Sequence, residues 1–346
     1  MLRSTRGLFT ATAAVLGMAA SSALAEQRLT VAGYGGSYEQ VMRSSVIPAF
    51  ERENNVRIDY LTGNSSDNLA RMQAQRGNQT IGVAVLDDGP MVQAAGLGLC
   101  RPLPETTRDA VYPIARLAND QAVGTGFGFT GLAYNKDVFA QKNLPVPTSW
   151  MDLARPEYRQ HIAIPGIDNT YGVHTLAMVS RINGGSDSDI APGLKVLRQQ
   201  INPNVLAYES SPGKMSEMFQ SGEIWLAVWG SSRVAAMQQA GFPLAIVRPK
   251  EGAVVLMTAG CAVTGSPEPA LADKFLAYLI SPTAQLAFAT QYGAGPTSPA
   301  TKLPPEIANR VIYGEAQVKS LIGLDWDVVN RNRADWTRRW QREVER

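Results

Sequence analysis

Short apolar strands alternate with helices along most of this chain, and twice that rhythm gives way to a long extended run. Leu29 to Ala32 is read as a strand, Gly33 to Gly36 as a turn, and Ser37 with Gln40 three residues later as a capping box opening a helix. A second strand follows at Val56, Ile58 and Tyr60, where apolar residues alternate with Arg57 and Asp59, then a helix from Ser65 to Arg76 and a third strand from Val83 to Leu86. That strand ends in Asp87-Asp88-Gly89-Pro90, a turn into another helix. Strands and helices in this order predict a mostly parallel sheet with helices on its faces, in which ligands sit beyond the carboxyl ends of strands. The rule singles out Tyr34 to Ser37 and Asp87 with Asp88.

The stretch from Gly126 to Phe139 is extended and rich in glycine and aromatics, and reads as a crossing into a second lobe. There the pattern resumes: a strand from Ile162 to Ile164, a polar loop from Gly166 to Gly172, a helix to about Ile182, a strand near Val205 to Tyr208, and a helix opened by the turn Ser210 to Gly213. The apolar strand Ile224 to Val228 runs into Trp229, Gly230, Ser231 and Ser232. A second crossing from Gly252 to Val263 returns the chain to the first lobe, and helices from Pro269 to Ile280 and from Thr283 to Tyr292 follow. The division expected is a first lobe of residues 26–130 plus 256–302 and a second of 131–255 plus 303–346. A length of 346 residues also exceeds what one core usually fills.

Residues 1–25 have the form of a secretory signal, with Arg3 and Arg6 ahead of an apolar run and Ala23-Leu24-Ala25 as the cleavage site. The run is too short to span a bilayer. No cysteine immediately follows Ala25, which argues against lipid anchoring. Without Arg3 and Arg6 the 32 basic residues fall to 30, level with the 30 acidic ones, and the basic excess of a nucleic-acid binder is missing. An oxidising compartment permits a disulfide between Cys100 and Cys261, and their spacing leaves bonded and separate thiols equally open. Two cysteines and two histidines, His161 and His174, form no metal-ligand spacing, so neither metal nor cofactor is expected.

Enzyme signatures are weak. No Gly-x-Ser-x-Gly elbow occurs, and Asp87 and Asp88 are adjacent rather than facing as a glycosidase pair requires. The tyrosines late in the chain, Tyr278, Tyr292 and Tyr313, are isolated, unlike the adjacent tyrosines expected of a ferric-ion binder.

The runs VAGYGGSYEQ from Val31, VLDDGP from Val85, GLAYNKDVF from Gly131, PTSWMDLARPEYR from Pro147, SGEIWLAVWGSSRVAAMQQAG from Ser221 and RPKEGAVVLMTAGCAV from Arg248 resemble, in that order, bacterial solute-binding proteins of the polyamine-binding type. The resemblance implies a two-lobed α/β type II periplasmic binding fold. It further implies a periplasmic chain, acting as a monomer, that closes on a small solute and docks on the inner-membrane permease of an ABC importer.

In that family ammonium groups are held by acidic and aromatic loops and by an aromatic-x-acid pair on the return crossing. Here Leu256 and Thr258 stand at that pair, and the second-lobe loop reads Asp168, Asn169 and Tyr171. Asp87, Asp88 and Asp168 suffice for one amine, because a buried ammonium needs a carboxylate or an aromatic face. A single-amine solute with an anionic end, such as an amino acid analogue or an aminoalkylphosphonate, therefore fits better than a polyamine. Arg233, Ser231 and the helix starts at Ser37 and Ser211 are the candidates for the anionic end. Tyr34, Tyr38 and Trp229 are the expected aromatic walls, with Trp225 in the core. Each has a structural alternative: Ser37 as a cap, the tyrosines as loop packing, Asp87 and Asp88 as turn acids, and Arg233 as a solvated helix residue.

Overall fold

The structure is a computed structural model and describes residues 27–320 and 322–345; the expected signal segment lies outside them. Among the described residues ten strands join in one sheet: β1 (Gln27–Gly33), β2 (Val56–Thr62), β3 (Ile81–Asp87), β4 (Arg116–Leu117), β5 (Ala122–Asn135), β6 (Ile162–Ile164), β7 (Val205–Tyr208), β8 (Leu226–Gly230), β9 (Leu244–Val247) and β10 (Val254–Ala262). The order is β2-β1-β3-β10-β5-β8-β6-β7, with β4 and β9 also paired to β5. Pairing is parallel within β2-β1-β3 and within β8-β6-β7, and antiparallel along β10 and β5.

The two expected crossings are β5 and β10, except that β5 ends at Asn135, where the Asn135 side chain caps a helix, Lys136–Gln141, in place of the extended run expected as far as Phe139. Residues 123–130 of β5 pair with β10, and its end from Thr130 to Asn135 pairs with β8 and β9. One strand thus belongs to both lobes. A third connection, not expected from the sequence, runs beside them: Ile322 bridges Val254, its N–H donating to Ala253 O at 3.1 Å and its carbonyl accepting from Val255 N–H at 2.8 Å.

Each lobe has its own core. Leu29, Val31, Val83 and Val85 face one side of the first-lobe sheet with Phe275, Leu276 and Phe288, and Ala32, Ala84 and Leu86 face the other with Met91 and Leu99. This two-sided alternation marks a sheet covered by helices on both faces. The second-lobe core gathers Trp150, Leu176, Val228 and Trp229, together with Val329, Trp336 and Trp340 of the terminal helix Trp326–Glu343. Ile312 and Val318 pack in the first-lobe core although the expected division assigned everything after residue 302 to the second.

Cys100 and Cys261 are bonded, their Cα atoms 5.7 Å apart and 161 residues apart in sequence. The bond ties the segment after the Asp88–Gly96 helix to β10. Cross-linking so long a loop restricts the unfolded chain strongly. A Cys100→Ser/Cys261→Ser variant is expected to lose about 2–5 kcal/mol of unfolding free energy; denaturant titration with and without reductant checks this, and an unchanged midpoint would refute it.

Candidate ligand-binding site

A cavity of about 290 Å³ lies between the lobes, beyond the carboxyl ends of β1, β2, β3, β6 and β7. The first lobe contributes Tyr34 and Gly35 after β1, the Thr62–Ser65 turn after β2, Asp87 at the end of β3, and Tyr292. The second contributes Asp168 to Tyr171 after β6, Ser210 to Pro212 after β7, and Arg233. Leu256 and Thr258 of the crossing strand β10 close the wall.

Its acidic pole is Asp87. The Tyr34 hydroxyl donates to Asp87 Oδ1 at 2.6 Å, and the Asp87 N–H donates to Ser65 Oγ at 3.0 Å. The Thr170 hydroxyl approaches this carboxylate from the other lobe without closing a hydrogen bond of good geometry. Burial pushes the Asp87 carboxyl above its ordinary value, against the opposing pull of Thr170, Tyr34, Ser65 and the Arg233 charge. A carboxylate held this way gains from any cation placed beside it.

The basic pole is Arg233, 5% exposed. Its Nη1 donates to Gly35 O at 3.0 Å and to Ser37 Oγ at 3.3 Å, reaching across the cleft from the Ser231–Gln239 helix. Its guanidinium lies 5.5 Å from the centre of the Tyr292 ring and 5.9 Å from that of Tyr34. Burial holds Tyr34, Tyr38, Tyr171 and Tyr292 protonated, so the phenols around Arg233 carry no charge. Two further hydrogen bonds join the lobes: Ser66 Oγ donates to Asp168 O at 2.6 Å, and Ser232 Oγ donates to Gly293 O at 3.1 Å.

Of the residues expected from the sequence, Tyr34, Asp87, Asp168, Asn169, Tyr171, Ser211, Arg233 and Thr258 line the cavity. Asp168 is exposed at the rim and accepts from Ser210 Oγ at 2.7 Å, Asn169 and Ser211 cap the helices that follow them, and Thr258 Oγ1 donates to Gly126 O at 3.3 Å.

Five expected residues do not line it. Ser37 is the first helical residue rather than the cap; Gly36, with φ of 66°, holds that place, and the Ser37 hydroxyl accepts from Arg233. Tyr38 turns inward and stacks on Phe288 at 4.8 Å. Asp88, 3% exposed, opens a helix behind Asp87 and accepts from Gly89 N–H at 3.1 Å. Trp229, 2% exposed, packs on Phe219 because strand alternation turns it away from the face on which Gly230 meets Tyr171; a Cβ at Gly230 would overlap the Tyr171 hydroxyl. Ser231 Oγ accepts from Phe129 N–H at 3.1 Å. Trp225, expected in the core, is half-buried between His161 and Lys142.

The Thr62–Ser65 turn was missed although the strand-end rule reaches it, and Asn64 with Asp67 forms the capping box sought at Ser37. Tyr292 carried no local signal, since only the return of the chain brings it to Arg233.

The family model for bacterial extracellular solute-binding proteins matches residues 45–314. The chain belongs to this family. It is 26% identical over 335 residues to the spermidine/putrescine-binding periplasmic protein of Salmonella typhimurium, covering 92% of each chain. It is 24% identical over 324 residues to the gamma-aminobutyric acid-binding protein of Pseudomonas aeruginosa, covering 90% of this chain and 89% of that one. The periplasmic binding protein AfuA of Actinobacillus pleuropneumoniae, solved with fructose-6-phosphate, shares the fold at a TM-score of 0.79 and 19% identity, over 92% of this chain and 99% of that one. The chain is therefore a solute-binding protein with the two-lobed periplasmic binding fold. No helix among the described residues is long and apolar enough to cross a membrane.

Behind the site, burial and then the charge of Asp87 push the Asp88 carboxyl up from 3.8 to about 8. The folded protein thus holds this proton more tightly than the unfolded chain. The stabilisation is complete below pH 3.8 and is lost as pH rises towards about 8. An Asp88→Asn variant is expected to gain thermal stability relative to the parent as pH rises from 5 to 8. Melting temperatures across that range check it, and a gap independent of pH would refute it.

Proposed function

We propose that this solute-binding protein captures a small amine-bearing solute by closing its lobes, and delivers it to the membrane permease of its ABC importer. The observation that carries the reading is Asp87: a carboxylate aimed into the cavity, pushed up by burial, and hydrogen-bonded only by neutral groups. An ammonium docking there meets the Asp87 carboxylate and the Tyr34 hydroxyl oxygen, and Tyr292 supplies an aromatic wall. The names of the relatives, which bind polyamines and gamma-aminobutyric acid, point to the same chemical class.

A ferric ion fits this cavity less well. A trivalent cation among these tyrosines would stand close to the Arg233 guanidinium, a repulsion that a low dielectric sharpens.

Closure draws its free energy from the difference in ligand affinity between closed and open forms. Removing the carboxylate while leaving its shape should therefore strike affinity. In Asp87→Asn, calorimetric titration of the best-bound amine is expected to show a Kd weakened by about 100-fold or more, with the fold intact. Binding of that amine at parental strength would sink the assignment.

A further inference from the structure

The Asp87 reading leaves Arg233 without a task beyond holding the lobes together. Building on that reading, we propose that Arg233 is a second recognition pole of the same cavity, and that the solute is a short zwitterion with its ammonium on Asp87 and a carboxylate or phosphonate on Arg233.

Arg233 lines the cavity and is buried, yet no carboxylate pairs with it among the described residues. One nitrogen, Nη1, serves Gly35 and Ser37; Nε, fully shielded, has no hydrogen-bond partner. Neutral carbonyl and hydroxyl partners do not replace the water a guanidinium loses on burial, and a planar oxyanion does so bidentately.

The charge balance of the cavity points the same way. Asp88 is held largely protonated at neutral pH and does not face the cavity. The rim acids are committed: Asp67 to the capping box with Asn64, and Asp168 to Ser210. The depth of the cleft therefore offers one negative pole and one positive pole. A diamine would neutralise Asp87 and bring its second ammonium towards Arg233, a repulsion that a low dielectric sharpens. A zwitterion satisfies both poles.

Tyr34 limits the length of the solute. Its hydroxyl touches Asp87 while the Arg233 guanidinium lies 5.9 Å from its ring centre, so both poles adjoin one phenol. A chain of a few carbons bridges that span.

The test is calorimetric titration of the mature protein at neutral pH with a ladder of ω-amino acids, from glycine to 6-aminohexanoate, and 3-aminopropylphosphonate. Diamines, monoamines and monocarboxylates of matched carbon number complete the set. We expect one short zwitterion to bind at least about 10-fold more tightly than its diamine and monoamine counterparts. Arg233→Met should weaken the zwitterion at least about 10-fold more than the monoamine, which feels only the lost bridge between the lobes, and Arg233→Lys should restore part of that preference. A diamine bound as tightly as the best zwitterion would overturn the zwitterion while leaving the amine reading standing. If Arg233→Met weakens every probe equally, Arg233 is a lobe latch alone and the proposal falls. Binding of monocarboxylates without any aminated probe would overturn the Asp87 reading itself. Should Arg233→Met fail to fold, the ranking in the parent protein still decides.

Discussion

The double membership of β5 is the constraint on which the rest of this molecule depends. Its first half pairs with β10 and its last residues with β8 and β9, so the hydrogen bonds that build one lobe continue into the other. Both parallel sets of strands therefore end towards one shared cleft, and the loops after β1, β2, β3, β6 and β7 meet there. Lobe motion has to be absorbed by β5, β10 and the third connection at Ile322, since these carry the backbone pairing across.

The cleft buries opposite charges that do not pair with each other directly. Asp87 leans on Tyr34 and Ser65, and Arg233 on Gly35 and Ser37. Shutting such groups away from water is unfavourable unless something enters to satisfy them. The arrangement thus favours closing around a complementary solute over closing empty. Arg233 both bridges the lobes and lines the cavity.

Much of the candidate site was legible because ligand loops in such sheets follow strand ends, and strand ends can be read from turn residues. Tyr34, Asp87, Asp168, Asn169 and Tyr171 all sit in such loops. What the rule does not state is which way each side chain points. Tyr34 and Tyr38 flank the same glycine turn, yet one reaches Asp87 and the other stacks on Phe288. Asp87 faces the cavity, while Asp88 enters the helix behind it. Trp229 looked like a wall because it ends an apolar strand, but alternation along β8 gave that wall to Tyr171 at Gly230.

Local pattern alone determined most of the strands and helices, the two crossings and hence the two-lobed α/β class, since periodicity and turn chemistry act over a few residues; the short strands β4 and β9 were not read from it. Tertiary structure alone decided what joins distant segments. It bonded Cys100 to Cys261 across 161 residues, laid Ile322 beside Val254 as a third connection, and returned Tyr292 to the Arg233 guanidinium. The physical reason is the same in each case: these contacts depend on how packed layers bring separate turns of the chain together, and no local spacing encodes that distance.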